Sequence, residues 1–197
     1  LNSLQFFSNI YVLTSQKKIP FKSISQIEES LKIDPDYFII SSPTYKHFKQ
    51  LLFLEKNFKN KKILIEKPLY EKYYNFNPTQ NQVWVGYCLR FNPVIEFLKL
   101  KLKDKKICNV NVFCGSFLPN WRVKSNFLKS YSASKSKGGG VLLDLSHEID
   151  YINWLFGSFD VDYVFNGKIS SLPISSDDTL ILNGHFDKIS LLQLCLN

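Results

Sequence analysis

Residues 138–157 read "GGGVLLDLSHEIDYINWLFG", three glycines followed by an apolar run that carries Asp144, His147, Glu148 and Asp150. At about 3.6 residues per turn, Leu142, Leu145, Ile149, Ile152 and Phe156 fall on one helical stripe, suited to a core. Asp144, His147, Tyr151 and Trp154 fall on another. Imidazole changes its charge near neutral pH, and a neighbouring carboxylate fixes its tautomer. The polar stripe therefore suits proton transfer or the holding of hydroxyl groups; the plainer alternative is a solvated helix face. Lys67, in "IEKP" (65–68), is a second reactive position. Proline drives the residue before it toward extended geometry, which aims the lysine side chain into the loop beyond a strand. Partial burial there lowers the pKa of an ammonium, and Glu66 beside it is placed to orient it. A surface Lys-Pro turn is the alternative.

The surrounding sequence supplies elements to position these groups. Ile10 to Thr14 reads as a short buried strand, and Ser25 with Glu28 as a capping box opening a short helix. Tyr37 to Ser41 is a second strand after an Asp34-Pro35 turn. Residues 44–58 have helical spacing, with Phe48, Leu51, Leu52 and Leu54 or Phe58 facing a core, and Ile63 to Glu66 is a third strand ended by Pro68. Alternating strands and helices predict a parallel sheet with right-handed crossovers, and residues 83–89 add one more strand with Arg90 at its end. Ligands of such sheets bind outside the carboxyl ends of the strands, where "SSPTYKH" (41–47) and "EKP" (66–68) lie. Beyond Pro93 come a helix, a strand over 107–118, the glycine-led helix and three more strands, the last two joined by a turn at Asp187-Lys188. That hairpin predicts antiparallel pairing. The fold class expected is α/β, a partial Rossmann-like parallel sheet over residues 1–90 followed by an α+β domain with a mainly antiparallel sheet over 91–197.

The chain has 197 residues, 45% hydrophobic and 21% charged, the composition of a globular protein. No apolar run reaches the roughly 20 residues of a membrane span and no signal peptide is apparent, so a cytoplasmic protein without a membrane partner is expected. The net charge of +8 is spread over scattered lysines without an RNA-binding motif, which argues against nucleic acid and is compatible with anionic small ligands. Cys88, Cys108, Cys114 and Cys195 lack metal-ligand spacing and are expected to be buried free thiols; no metal is called for.

Taken in order, "DYFIISSPTYKH", "ILIEKPL", "VGYCLRFNPVI" and "GGGVLLDLSHEIDYINWLFG" resemble the motif series of the Gfo/Idh/MocA (glucose–fructose oxidoreductase/inositol dehydrogenase) family. The stretch "LPNWR…SYSASKSKGGGVLLDLSHEID" is similar to a subgroup that accompanies bacterial surface-polysaccharide biosynthesis. The resemblance implies an NAD- or NADP-dependent oxidoreductase acting on a sugar or sugar-nucleotide hydroxyl or carbonyl. It implies that Lys67 and His147 act beside the nicotinamide, with Asp144 or Asp150 orienting His147. Ser41, Ser42, Pro43, His47, Glu66 and Arg90 would line the cofactor, and Thr14 and Ser15, with Lys17, would tolerate a 2′-phosphate. Trp121, Arg122, Tyr131 and Asp150 would contact the sugar, and the glycines would let the backbone pass close to cofactor or substrate. A homo-oligomer through the second-domain sheet is expected. The family's glycine-rich phosphate turn is missing, the first glycine being Gly86, and the histidine motif reads D-x-x-H rather than D-x-x-x-H. The sequence contains no methionine. The missing turn reads as truncation by about one βα unit at the start, and the further strands that the resemblance implies beyond Asn197 as truncation at the end. The competing function is a catalytically silent remnant that serves as a binding or scaffold protein.

Overall fold

A computed structural model describes residues 9–16, 18–121, 126–186 and 190–197. Two short strands, β1 (Tyr11–Leu13) and β2 (Lys22–Ile24), pair in parallel. The sequence leads us to expect a buried first strand, but Tyr11 is 38% and Leu13 41% exposed, because among the described residues β2 alone pairs with β1. A 3-10 turn (Ile27–Glu29) leads into the helix α1 (Ser30–Ile33), and the capping box closes on the turn one residue later than expected. Glu29, not Glu28, accepts from the N–H groups of Ser25 and Gln26 and from the Ser25 hydroxyl.

Strand β3 (Tyr37–Ile40), helix α2 (His47–Asn57), strand β4 (Lys62–Ile65) and strand β5 (Gln82–Val85) form the expected parallel unit, in the order β3-β4-β5. The registers align Phe38, Ile63 and Val83, and Ile40, Ile65 and Val85, on the face that α2 covers with Leu51, Leu54 and Phe58. Leu52, expected in the core, is 43% exposed. The buried stripe runs instead through His47, Leu51, Leu54 and Glu55, one turn apart. Buried Glu55 accepts from the N–H groups of Thr79 and Gln80 and from Asn81 Nδ2, which ties the approach to β5 onto the helix.

In the second half, α3 (Pro93–Leu102) begins with proline at its first position and the Asn92 side chain capping Val94 N–H. Strand β6 (Asn109–Cys114) precedes the glycine-led segment, which forms two helices rather than the single one expected: α4 (Val141–Asp144) and α5 (Ser146–Phe156). Strands β7 (Asp160–Gly167), β8 (Thr179–Phe186) and β9 (Ser190–Leu196) complete a sheet of order β6-β9-β8-β7. It is antiparallel except for β6 with β9. The turn predicted at Asp187-Lys188 lies outside the described residues. Helix α5 seats Ile152, fully buried, against Val110, Leu182, Leu192, Leu194 and Leu196. Each such side chain contributes about 1.5–3 kcal/mol by leaving water. Cys88 and Cys108 are exposed and Cys114 and Cys195 half-buried. The expectation of four buried thiols is therefore corrected, since Cys88 sits in the turn after β5 and Cys108 just before β6. No described helix is long and apolar enough to cross a membrane.

Candidate active site

Because β3, β4 and β5 are parallel, their carboxyl ends share one edge, and Ser41, Glu66 with Lys67, and Gly86 with Tyr87 emerge there together. Lys67 reaches across to the second half, its Nζ donating to the main-chain oxygen of Asp144 at 2.5 Å. That oxygen is free because the helix breaks. Leu145 has φ −100° and ψ 22°, and the Glu148 N–H donates to Leu145 O instead of Asp144 O, its partner in an unbroken helix. Burial lowers the Lys67 pKa below the usual lysine range, while the negative charges of Asp144 and Glu66 oppose the shift. His147 opens α5 and meets Tyr87 edge-on, ring centroids 5.6 Å apart at 80°. Its Nδ1 is buried with no hydrogen-bond partner among the described residues, and the buried Ser146 hydroxyl lies against the Tyr87 phenol. Burial, then the Lys67 ammonium, holds His147 below the ordinary histidine pKa, which favours the neutral imidazole. Burial also raises the Tyr87 phenol.

Neither aspartate orients His147 through its Nδ1. Both Asp150 oxygens are taken by Arg90, Nε at 2.8 Å and Nη2 at 2.5 Å, and the Asp150 side chain is only 8% exposed. This bidentate pair ties the turn after β5 to α5, so Arg90 is engaged by protein and Asp150 is withdrawn from a ligand. The Asp144 carboxyl meets Ser132 and Tyr131. Burial lifts its pKa despite those hydrogen bonds, and its Oδ1 has no partner among the described residues.

The residues expected to line a cofactor divide. Ser15, Ser41 and Pro43 are exposed, and Thr14 Oγ1 accepts from the Gln16 N–H just past β1. Ser42 Oγ is bonded to Gln50. His47 is a correction: it is 1% exposed and ties two loops together, with Nε2 2.7 Å from Ser42 O and Nδ1 3.1 Å from Pro68 O. Both ring nitrogens face main-chain carbonyl oxygens, to which an N–H on either would donate, and the ring is not offered to a ligand. Glu66 is exposed and makes no hydrogen bond to Lys67 among the described residues. Trp121 and Tyr131 lie near Asp144, in the second half; Arg122 and Lys17 lie outside the described residues.

The glycines serve packing within the protein rather than the close passage of a ligand. A Cβ on Gly139 would lie 2.1 Å from Tyr131 O, and one on Gly140, at φ +126°, would lie 2.3 Å from Asp177 Oδ1. Asp177 accepts from the Leu142 N–H through Oδ2 and from the Val141 N–H through its carbonyl, satisfying the start of α4. Gly138 abuts Thr44 of the first half. Sequence reasoning missed Tyr87, Ser132, Ser146 and Asp177. Tyr87 alone carried a signal, since it stands between a strand end and Arg90.

Residues 99–196 match the family model "Oxidoreductase family, C-terminal alpha/beta domain" of Gfo/Idh/MocA proteins. An uncharacterized oxidoreductase of Synechocystis is 29% identical over 129 residues, which is 60% of this chain and 33% of that protein. Among solved structures, a levoglucosan dehydrogenase in complex with NADH and levoglucosan superposes with a TM-score of 0.75 at 20% identity, covering 90% of this chain and 52% of its own. The WlbA dehydrogenase of Chromobacterium violaceum, in complex with NADH and UDP-GlcNAcA, gives 0.72 at 18%, covering 90% and 53%. The chain thus spans about half the length of these structures and a third of the Synechocystis protein. With the sequence match in its second half and the shared fold across both halves, the chain belongs to the Gfo/Idh/MocA family of oxidoreductases.

Proposed function

We propose that the crevice between the two halves carries NAD- or NADP-dependent oxidoreduction of a sugar or sugar-nucleotide, in bacterial polysaccharide biosynthesis. Residues 1–90 would hold the dinucleotide and residues 91–197 the substrate. The observation that carries this reading is the bond from Lys67 Nζ to Asp144 O, which brings the strand-end lysine beside the helix of His147. The buried His147 Nδ1, without a partner among the described residues, is a polar atom that a bound group would satisfy. The nicotinamide half fits this crevice, whereas no glycine precedes Gly86 to form a phosphate-binding turn. When bound, the nicotinamide supplies the hydride acceptor or donor. The protein's task is the proton. Lys67, its pKa lowered, donates a hydrogen bond to the reacting oxygen and holds it in place, and neutral His147 takes the hydroxyl proton in the oxidative direction. Solved relatives bound to levoglucosan or UDP-GlcNAcA support a sugar as substrate, and the resemblance of "LPNWR…SYSASKSKGGG" to polysaccharide-associated members supports the pathway class.

Titration of the protein with NADH and NADPH tests the cofactor, and turnover by Lys67→Ala tests the site. We expect saturable micromolar binding, and a fall in turnover of about 10²- to 10⁴-fold with unfolding temperature unchanged, the range for loss of a positioned acid or base. Wild-type turnover in a folded Lys67→Ala protein rules the role out. The outer face of the second sheet exposes Phe113 (72%), Leu191 (62%) and Tyr163 (54%). We infer that a second copy packs there, which light scattering reads as a dimer or larger.

A further inference from the structure

We propose that α3 docks flat on an anionic lipid surface, with its exposed apolar stripe set among the headgroups and the lysines beside it paired with lipid phosphates. The inference concerns a face of the molecule and stands apart from the redox reading above. The sequence-based expectation of no membrane partner rests on the lack of a span, and a span is needed for crossing a bilayer, not for lying on it. Helix α3 is about 15 Å long. It packs on α5, with Ile95, Leu98 and Leu102 half-buried on one stripe and Lys99 Nζ 3.6 Å from the centroid of the Trp154 ring. A second stripe carries Val94, Phe97 and Leu100, three residues apart, and Phe91 in the turn before the helix continues the row. These four are 64%, 56%, 71% and 78% exposed. Single exposed apolar side chains are ordinary, whereas a row of them along one helix marks an interaction surface.

The charge beside the stripe selects the partner. Residues 91–106 hold five lysines against two acids, Glu96 and Asp104. Lys99 is engaged with Trp154, and Lys101 Nζ lies 5.6 Å from the centroid of the Phe97 ring, which lays its stem along the stripe. Lys103, Lys105 and Lys106 follow at the end of the helix, all exposed. Lysine is depleted in the core of protein–protein interfaces, where its ammonium would lose water. At an anionic bilayer the same side chain is well placed: its stem covers apolar surface while its ammonium stays at the depth of the phosphates. Phenylalanine and leucine between lysines are the composition of helices that lie in this interface. The face is also held firmly, since Arg90, whose guanidinium is paired with Asp150 of α5, directly precedes Phe91.

Co-sedimentation of the whole protein with vesicles tests this, using phosphatidylcholine alone and phosphatidylcholine with about 30% phosphatidylglycerol. At about 0.1 M salt the anionic vesicles are expected to bind at least about tenfold more tightly, and about 0.5 M salt should remove most of that difference. Phe97→Gln with Leu100→Gln, and separately Lys103→Gln with Lys105→Gln, should each weaken binding about tenfold or more with the unfolding temperature unchanged. Lys56→Gln with Lys59→Gln removes the same charge where α2 ends and β4 begins, at the edge of the first sheet opposite Phe91, and should change binding by less than about twofold. Equal binding to the two compositions, no binding, a loss confined to the lysine pair at the end of α3, or an equal loss in the pair at Lys56 and Lys59 each overturns the proposal. So does light scattering in which Phe97→Gln with Leu100→Gln dissociates an oligomer, because a second copy then covers the stripe.

Discussion

The two larger sheets of this protein are each covered by a helix on one face, but openness on the other face means different things for them. The second sheet is mainly antiparallel, and antiparallel sheets commonly leave one side to solvent. Its strands run to eight residues and, among the described residues, nine buried side chains form its core. The first sheet is wholly parallel, a type normally covered on both faces, and its strands have only four residues. Its uncovered face aligns Ile39, Leu64 and Trp84, with Ile39 46% and Trp84 48% exposed. Beside it, β1 and β2 form a separate pair. A polar crevice built between such halves draws its rigidity from the second, and from the bonds that cross the seam.

The largest effect we expect comes from the glycines on the more rigid side. Gly140→Ala should cost about 3 kcal/mol or more, since strain at φ +126° is joined by collision with Asp177. Gly157→Ala has strain at φ +91° but open space around it, and should cost about 1–2 kcal/mol. Chemical denaturation of the two variants reads the difference; equal costs would show that packing at the 138–140 segment is not what requires glycine. The seam comes next. Arg90→Ala leaves a buried carboxylate unpaired and should cost about 2–4 kcal/mol, whereas Asp150→Ala leaves a half-exposed guanidinium that water can reach and should cost about half as much. If Asp150→Ala proves the costlier, the pair is not the asymmetric tie described above.

Lys67 supplies a pH test of the same seam. Its pKa is lowered in the fold by burial, so between that value and about 10.4 the unfolded chain holds more protons than the folded one. Stability should therefore rise with pH across that window, and Lys67→Met should flatten the rise in denaturation series taken up to pH 10. A slope unchanged in the variant assigns the titration elsewhere. The smallest effect is predicted on the uncovered face. Trp84→Ala should shift stability by no more than about 0.5–1 kcal/mol, the scale for a half-exposed side chain. A loss above about 2 kcal/mol means that something packs on this face in solution.

Much of this architecture was legible from periodicity and punctuation. The parallel unit from Tyr37 to Val85 follows from apolar runs separated by Asp34-Pro35 and Pro68, which are local signals. The split of the glycine-led helix was not legible, because Leu145 is an ordinary helix former and only tertiary contacts break the helix at it. That single break misplaced Asp144, since an unbroken helix puts Asp144 and His147 on one stripe. His47 misled in another way: a histidine near a strand end reads as a ligand-facing group, and its burial depends on Pro68, 21 residues away, as well as on nearby Ser42. The pairing of Arg90 with Asp150 spans 60 residues, and no spacing rule reports it.

The acceptor that holds Lys67 is a peptide oxygen, and this has a consequence for how the protein can vary. Every amino acid carries that oxygen, so residue 144 can be exchanged without deleting the link. Substitution scans will overlook it, and drift at this position leaves it untouched. What removes it is a change in chain path, such as an insertion near Leu145 that lets the helix run on and reclaims the carbonyl for the Glu148 N–H. The contact is encoded in length and not in letters.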